Sequence, residues 1–196
     1  QTCALPILGE PWNRPSGSGV GRIIEDKEAS ERYISHILNT ITTRFDGIKI
    51  VVDCANGAAS FVAPEILRRA GAVVTAIHCS PNGLNINEGC GSTHLESLIG
   101  KVKEVGADLG IAHDGDADRV LAVDHTGAVI DGDHILGILA SAIDIPTKTV
   151  VGTVMTNLGL IKALETRGIS FIATPVGDRY VLEKMIAENQ DRKSTR

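Results

Sequence analysis

The feature that most constrains this chain is the alternation of short apolar runs with longer segments of helical period. Residues 48–52 form an apolar run of the kind a buried parallel strand carries. Asn56-Gly57 supplies a turn, and residues 58–70 take helical spacing until Gly71 stops it. A second strand is predicted at 73–77, a helix at 95–105 ended by Gly106, and a third strand at 108–112. Residues 120–123 and 128–130 flank His125-Thr126-Gly127 and read as two strands joined by a turn. Helical spacing returns over 131–143, with Asp131 placed to cap it. Beyond Pro146 the pattern restarts with a strand at 149–153, a helix at 158–167, a strand at 170–173 and a helix at 178–188. Strands alternating with helices predict an α/β fold, with a mixed, mostly parallel sheet sandwiched by helices. An incomplete second α/β domain follows, with too few strands to close a good core. Residues 47–143 are therefore expected to fold, and the tail after Pro146 to be loose.

Upstream, Tyr33, Ile34, Ile37, Leu38 and Ile41 sit at helical spacing within residues 28–43, and Asp46-Gly47 breaks the pattern. Residues 8–21 are rich in Pro, Gly and Ser and read as a linker. Neither end of the chain has amphipathic period or a cap. The first seven residues back-translate as CAG ACG TGT GCT CTT CCG ATC. The reverse complement of that string begins GAT CGG AAG AGC ACA CGT, which encodes Asp-Arg-Lys-Ser-Thr-Arg, the last six residues. The string also resembles a short-read sequencing adapter. Five segments are expected: an adapter-like end plus linker at 1–21, an interdomain helix at 22–46, a first domain at 47–145, a partial second domain at 146–190, and an adapter-like end at 191–196.

Composition narrows the functional classes. Hydrophobic residues make up 43% of the chain, charged residues 22%, and aromatic residues only 3%. Many glycines and few aromatics suit tight βα turns better than an all-β fold. A net charge of −5 disfavours nucleic acid or an anionic membrane surface as partner. No apolar run is long enough to cross a bilayer, and the opening lacks the regions of a signal peptide. Cys3, Cys54, Cys79 and Cys90 form no C-x-x-C pair; with Cys3 set aside in the adapter-like end, the others are expected to be reduced, buried thiols of a cytoplasmic protein. The six histidines show no paired metal spacing, and no nucleotide-binding glycine string occurs.

The most informative stretch is His113-Asp114-Gly115-Asp116-Ala117-Asp118-Arg119. Three carboxylates alternate with small residues directly after a strand, and ligands of open α/β sheets bind outside the carboxyl ends of strands. Asp114, Asp116 and Asp118 can turn their oxygens toward one point, a hard anionic set suited to Mg²⁺. An EF-hand is excluded, because counting from Asp114 puts Arg119 at position six and His125 at position twelve, where Gly and Glu are required. The acidic loop alone leaves open a phosphatase of the haloacid dehalogenase type. Arg119 is placed either to hold a phosphate oxygen or to pair with one of the aspartates.

Taken together, these motifs resemble a known family. Asp114-Gly115-Asp116-Ala117-Asp118-Arg119 is similar to the metal loop of the α-D-phosphohexomutases. Val51-Val52-Asp53-Cys54-Ala55-Asn56-Gly57-Ala58-Ala59 resembles the opening strand and turn of the second domain in the bacterial phosphoglucosamine mutase branch. Pro81-Asn82-Gly83-Leu84-Asn85-Ile86-Asn87 and Cys90-Gly91-Ser92-Thr93-His94 resemble its next loop. Thr153-Val154-Met155-Thr156-Asn157-Leu158-Gly159-Leu160 and Val176-Gly177-Asp178-Arg179-Tyr180-Val181 resemble its third-domain start. The likeness runs in family order from about Gly21 to Glu188.

The resemblance implies a four-domain parent that interconverts glucosamine 6-phosphate and glucosamine 1-phosphate through a phosphoserine and a bisphosphorylated intermediate. It implies Mg²⁺ on Asp114, Asp116 and Asp118, and Arg119 as the catalytic residue beside it. Asp178 and Arg179 would either line the sugar side of the cleft or cap and brace the last helix. Pro175 stands where some relatives have a lysine, so no acid or base is expected there. The family's serine loop, of Ala-Ser-His-Asn type, has no counterpart in the chain, and its sugar and phosphate loops are missing too. An inactive, Mg²⁺-binding fragment is therefore expected, with a phosphosugar as the parent's partner and a homodimer as its candidate assembly. The alternatives are a phosphomannomutase or phosphoglucomutase fragment, and a non-catalytic metal- or phosphosugar-binding module.

Overall fold

The computed structural model describes residues 15–142 and 148–187. Both adapter-like ends, the first half of the linker and Pro146 lie outside these residues. Helix α1 (Ala29–Leu38) leads into the first sheet. It is shorter than the predicted 28–43. The run Thr40-Ile41-Thr42-Thr43 is β-branched throughout and poor at continuing a helix, and Thr40 Oγ1 instead donates to the Ile37 carbonyl at 2.7 Å.

The first body contains β1 (Lys49–Asp53), α2 (Ala59–Arg69), β2 (Val73–Ile77), α3 (Glu96–Val105), β3 (Leu109–His113), β4 (Val120–Asp124) and β5 (Val129–Ile130). Its sheet runs in the order β2-β1-β3-β4-β5. Strand β1 pairs parallel with both β2 and β3, while β4 and β5 add antiparallel. After the exposed Lys49, strand β1 is buried on both faces, which is why its sequence is apolar from Ile50 to Val52. On one face Val52, Cys54 and Ala59 pack with Ala63 and Leu67 of α2. On the other, Val51, Ala112 and Val123 meet Leu98 and Val102 of α3. Helix α1 lies on α2, tied by Arg69 donating to both carboxylate oxygens of Glu31 at 2.7 and 2.9 Å.

A second body holds α4 (Gly132–Ala142), β6 (Thr149–Thr153), α5 (Leu158–Glu165), β7 (Ser170–Thr174) and α6 (Asp178–Ala187). Strands β6 and β7 pair parallel. Leu136 and Ala140 of α4 join Val150, Leu160 and Leu164 on one face, and Val181 and Met185 of α6 cover Val151 on the other. Helix α4, grouped with the first domain in the sequence reading, thus buries its apolar stripe in the second core. Its first turn is capped by Asp131, whose Oδ1 accepts from the His134 backbone N–H at 2.9 Å. Two strands with helices on both faces bury Leu164 to 1% exposure, so this segment has a core of its own. Among the described residues no helix is long and apolar enough to cross a membrane.

Candidate metal-binding site

The acidic loop leaves the carboxyl end of β3, beside the carboxyl end of β1. Asp114 is 2% exposed, whereas Asp116 and Asp118 are open to solvent. Oxygens of the three carboxylates lie within 4.8 Å of one another. The structure therefore brings together the three aspartates that the sequence singled out. Their donor atoms fit a hard cation: all are anionic oxygens, and bonds of about 2.1 Å around one Mg²⁺ would close that spread with little movement.

Arg119 completes the cluster. Its backbone N–H donates to Asp114 Oδ1 at 3.1 Å and its Nε to Asp114 Oδ2 at 2.6 Å. The same Nε lies 3.3 Å from Asp118 Oδ1. Burial pushes the Asp114 carboxyl upward, but the Arg119 N–H and guanidinium outweigh it and hold the group below its ordinary value. Arg119 is held protonated by its hydrogen bond and attraction to Asp114. Its side chain is still 58% exposed, within reach of an incoming anion.

The loop is also docked on its neighbours through its backbone at Gly115. Ala58 N–H, at the start of α2, donates to the Gly115 carbonyl at 2.9 Å. Gly57 makes this approach possible: a Cβ there would sit 2.2 Å from the Gly115 oxygen. From the other side, Ile86 and Asn87 press on Gly115, and Asn87 N–H donates to the Ala55 carbonyl at 2.9 Å. The Asn-rich loop is pinned by Asn56, which accepts from Ser80 N–H at 3.1 Å and donates to the Asn85 carbonyl at 3.4 Å. Asn82 Oδ1 accepts from the N–H groups of Leu84 and Asn85.

Beneath this lies a residue to which the sequence reading gave no role. Asp53 ends β1 fully buried. Its Oδ1 accepts from Ala55 N–H at 2.9 Å, and its Oδ2 from Gly91 N–H at 3.0 Å with His78 Nδ1 at 2.9 Å. A single carboxylate therefore ties the ends of β1 and β2 to the turn before α3. Gly91 is required there: its φ is +74°, and a Cβ would lie 2.6 Å from both Ala55 Cβ and the His113 carbonyl. The available signal was an aspartate closing a run of buried apolar residues, since a buried carboxylate must be paired.

Asp178 and Arg179 stand apart from the acidic cluster, in the second body. They open α6, Asp178 Oδ1 accepts from Arg179 N–H at 3.1 Å, and Arg179 Nε donates to Glu183 at 2.7 Å.

Residues 31–127 match the family model described as phosphoglucomutase/phosphomannomutase, alpha/beta/alpha domain II, and residues 131–191 match alpha/beta/alpha domain III. The chain belongs to the phosphoglucomutase/phosphomannomutase family. The domain III match of this family begins at residue 131, just before α4, where the packing also changes from the first core to the second. Curated relatives named phosphoglucosamine mutase include that of Streptomyces avermitilis, 56% identical over 181 residues, covering 90% of this chain and 40% of that protein. Another, from Acidothermus cellulolyticus, is 56% identical over 184 residues, covering 92% of this chain and 40% of that protein. The chain thus spans about 40% of the length of these relatives. Among solved structures, a phosphoglucomutase/phosphomannomutase family protein from Burkholderia thailandensis superposes with TM-score 0.70 at 23% identity, over 82% of this chain and 36% of that one. An N-acetylglucosamine-phosphate mutase of the α-D-phosphohexomutase superfamily superposes with TM-score 0.59 at 24% identity, over 84% of this chain and 41% of that one. At these identities the two structures establish the shared fold.

Proposed function

We propose that the chain is the central portion of a phosphoglucosamine mutase, and that its local task is to hold Mg²⁺ at the phosphoryl-transfer site. The observation that carries this reading is the gathering of the Asp114, Asp116 and Asp118 oxygens within 4.8 Å at a strand's carboxyl end. The relatives' identity of 56% directs it to glucosamine phosphates.

Asp114, Asp116 and Asp118 would hold the ion, which when bound supplies Lewis-acid neutralisation of a transferring phosphoryl group. Asp114, buried and paired, fixes one wall of the site, while the exposed Asp116 and Asp118 close on the ion from the solvent side. Arg119, held by Asp114, presents a guanidinium beside the ion to steady phosphoryl oxygens. Asp178 and Arg179 open α6 directly after β7, again at a strand's carboxyl end, which supports a place on the sugar side. Conversion of glucosamine 6-phosphate to glucosamine 1-phosphate needs the rest of the parent, and the reading places that parent in the cytoplasm.

The test is a chimera in which residues 22–187 replace the matching segment of the Streptomyces avermitilis enzyme. The chimera is expected to interconvert the two glucosamine phosphates, and its D116N variant to lose at least about 100-fold in kcat. The isolated chain is expected to bind Mn²⁺, used as a paramagnetic stand-in, without turnover. A folded chimera that acts only on mannose or glucose phosphates would reassign the substrate. A chain that binds no divalent ion would remove the reading altogether.

A further inference from the structure

A second cluster of ligating side chains lies outside the acidic loop. Asp53, His78 and Cys90 each offer one donor atom, and the three atoms lie within 4.8 Å of one another. We propose that Asp53, His78 and Cys90 form a separate binding site for a borderline-soft divalent cation of the zinc class. The assignment does not depend on the mutase reading.

The donor chemistry sets this site apart from the acidic loop. One carboxylate oxygen, one imidazole nitrogen and one thiolate sulfur form a set that favours Zn²⁺ over Mg²⁺. Zinc bonds of about 2.0–2.3 Å in tetrahedral array put neighbouring donors roughly 3.3–3.8 Å apart. Asp53 Oδ2 and His78 Nδ1 are 2.9 Å apart, so an ion replacing the proton between them needs an opening of less than about 1 Å. Three protein ligands leave the fourth position to water.

The surroundings already orient the ligands. Backbone N–H groups of Ala55 and Gly91 fix the Asp53 carboxylate, and Asn56 Nδ2 lies 3.9 Å from Cys90 Sγ. Asp53 and Cys90 are fully buried while the His78 side chain is 29% exposed, which gives the ion an entry path along the imidazole. The protons balance simply. The Cys90 thiol proton leaves to water, the His78 proton resides on Nε2, and the two anionic ligands neutralise the dication. Loss of the thiol proton is coupled to binding, because a bound dication stabilises the thiolate it requires. The ligands come from the end of β1, the end of β2 and the turn before α3. An ion would add a staple across three loop roots that the Asn56 N–H to His78 carbonyl bond at 2.7 Å and the Asp53 hydrogen bonds already draw together.

The experiment is Co²⁺ titration of the full 196-residue chain, followed by Zn²⁺ displacement, in a wild-type and a D116N/D118N background. One equivalent of Co²⁺ is expected to raise a cobalt–thiolate charge-transfer band in both backgrounds, and Zn²⁺ to bleach it. C90S is expected to abolish the band, and H78A to weaken binding by about 10–100-fold. Alkylation of the wild-type chain, read by mass spectrometry, keeps the test independent of whether C90S folds: Zn²⁺ is expected to protect Cys90. A folded wild-type chain with no band, a band that survives C90S and so belongs to another cysteine, or equal Cys90 alkylation with and without Zn²⁺ would overturn the proposal. In each of those cases the cluster is a hydrogen-bonded brace alone.

Discussion

At the scale of single residues, position is set by what each side chain cannot avoid touching. Asp53 illustrates this most clearly. Replacing it with Ala leaves the buried N–H groups of Ala55 and Gly91 and the His78 ring without their acceptor. We expect Asp53→Ala to lower unfolding free energy by about 2–4 kcal/mol, measured by urea denaturation. Gly57 acts through space rather than bonding. A methyl group there would collide with the Gly115 carbonyl and push the acidic loop off α2. Gly57→Ala is therefore expected to weaken Mn²⁺ binding at least about tenfold in a titration, in line with other changes that disturb the support of metal ligands. Much of this scale was readable from sequence, but unevenly. The clustering of the alternating aspartates was legible because their relation is local. Asp53, His78 and Gly91 are brought together across 25 and 38 positions, and no local pattern reports such a contact.

At the scale of elements, strand and helix periods placed every core strand of the first sheet to within about a residue, because burial on both faces leaves long apolar runs. The helix that stopped short of its prediction, α1, did so where β-branched residues replaced good helix formers. The β4–β5 turn is a further case of local chemistry. Asp124 Oδ1 accepts from the Thr126 N–H and hydroxyl and from Ala128 N–H. The Thr126 hydroxyl first, then the Ala128 N–H, hold this carboxyl below its usual 3.8. A carboxylate with a lowered folded value binds fewer protons when folded, so its contribution is complete above about pH 3.8 and disappears as pH falls through the lowered value. Asp124→Asn keeps the oxygen acceptor and removes the charge. Stability measured from pH 6 down to pH 2 is expected to fall less steeply in this variant than in the wild type.

At the scale of the whole molecule, the buried clusters among the described residues fall into two bodies, with Leu98 at the heart of one and Leu164 of the other. Periodicity along the chain places the division near Pro146, where a proline interrupts the pattern, but packing assigns α4 to the second core. A helix's partner depends on which apolar faces it meets in space, and that information is not periodic. The second core has a two-stranded sheet among the described residues, against five strands in the first. We expect amide exchange to be slowest in β1 and β3, and faster by at least about tenfold throughout β6, β7 and α5. Leu164→Ala is expected to accelerate exchange in the second body while leaving β1 and β3 unchanged; equal acceleration in both would mean that the two cores unfold as one.

The parallel pairing of β1 with β3 carries a consequence in time. Lys49 and Asp108, bonded across that junction, are 59 positions apart in the chain. Closing so long a loop comes before any reward from the contact, so this pairing is intrinsically slow to form. The acidic loop reaches its place beside Gly57 only after that pairing. Capacity to capture a divalent ion is therefore among the last properties the refolding chain acquires, and ion uptake after dilution from denaturant is a clock for completion of the sheet.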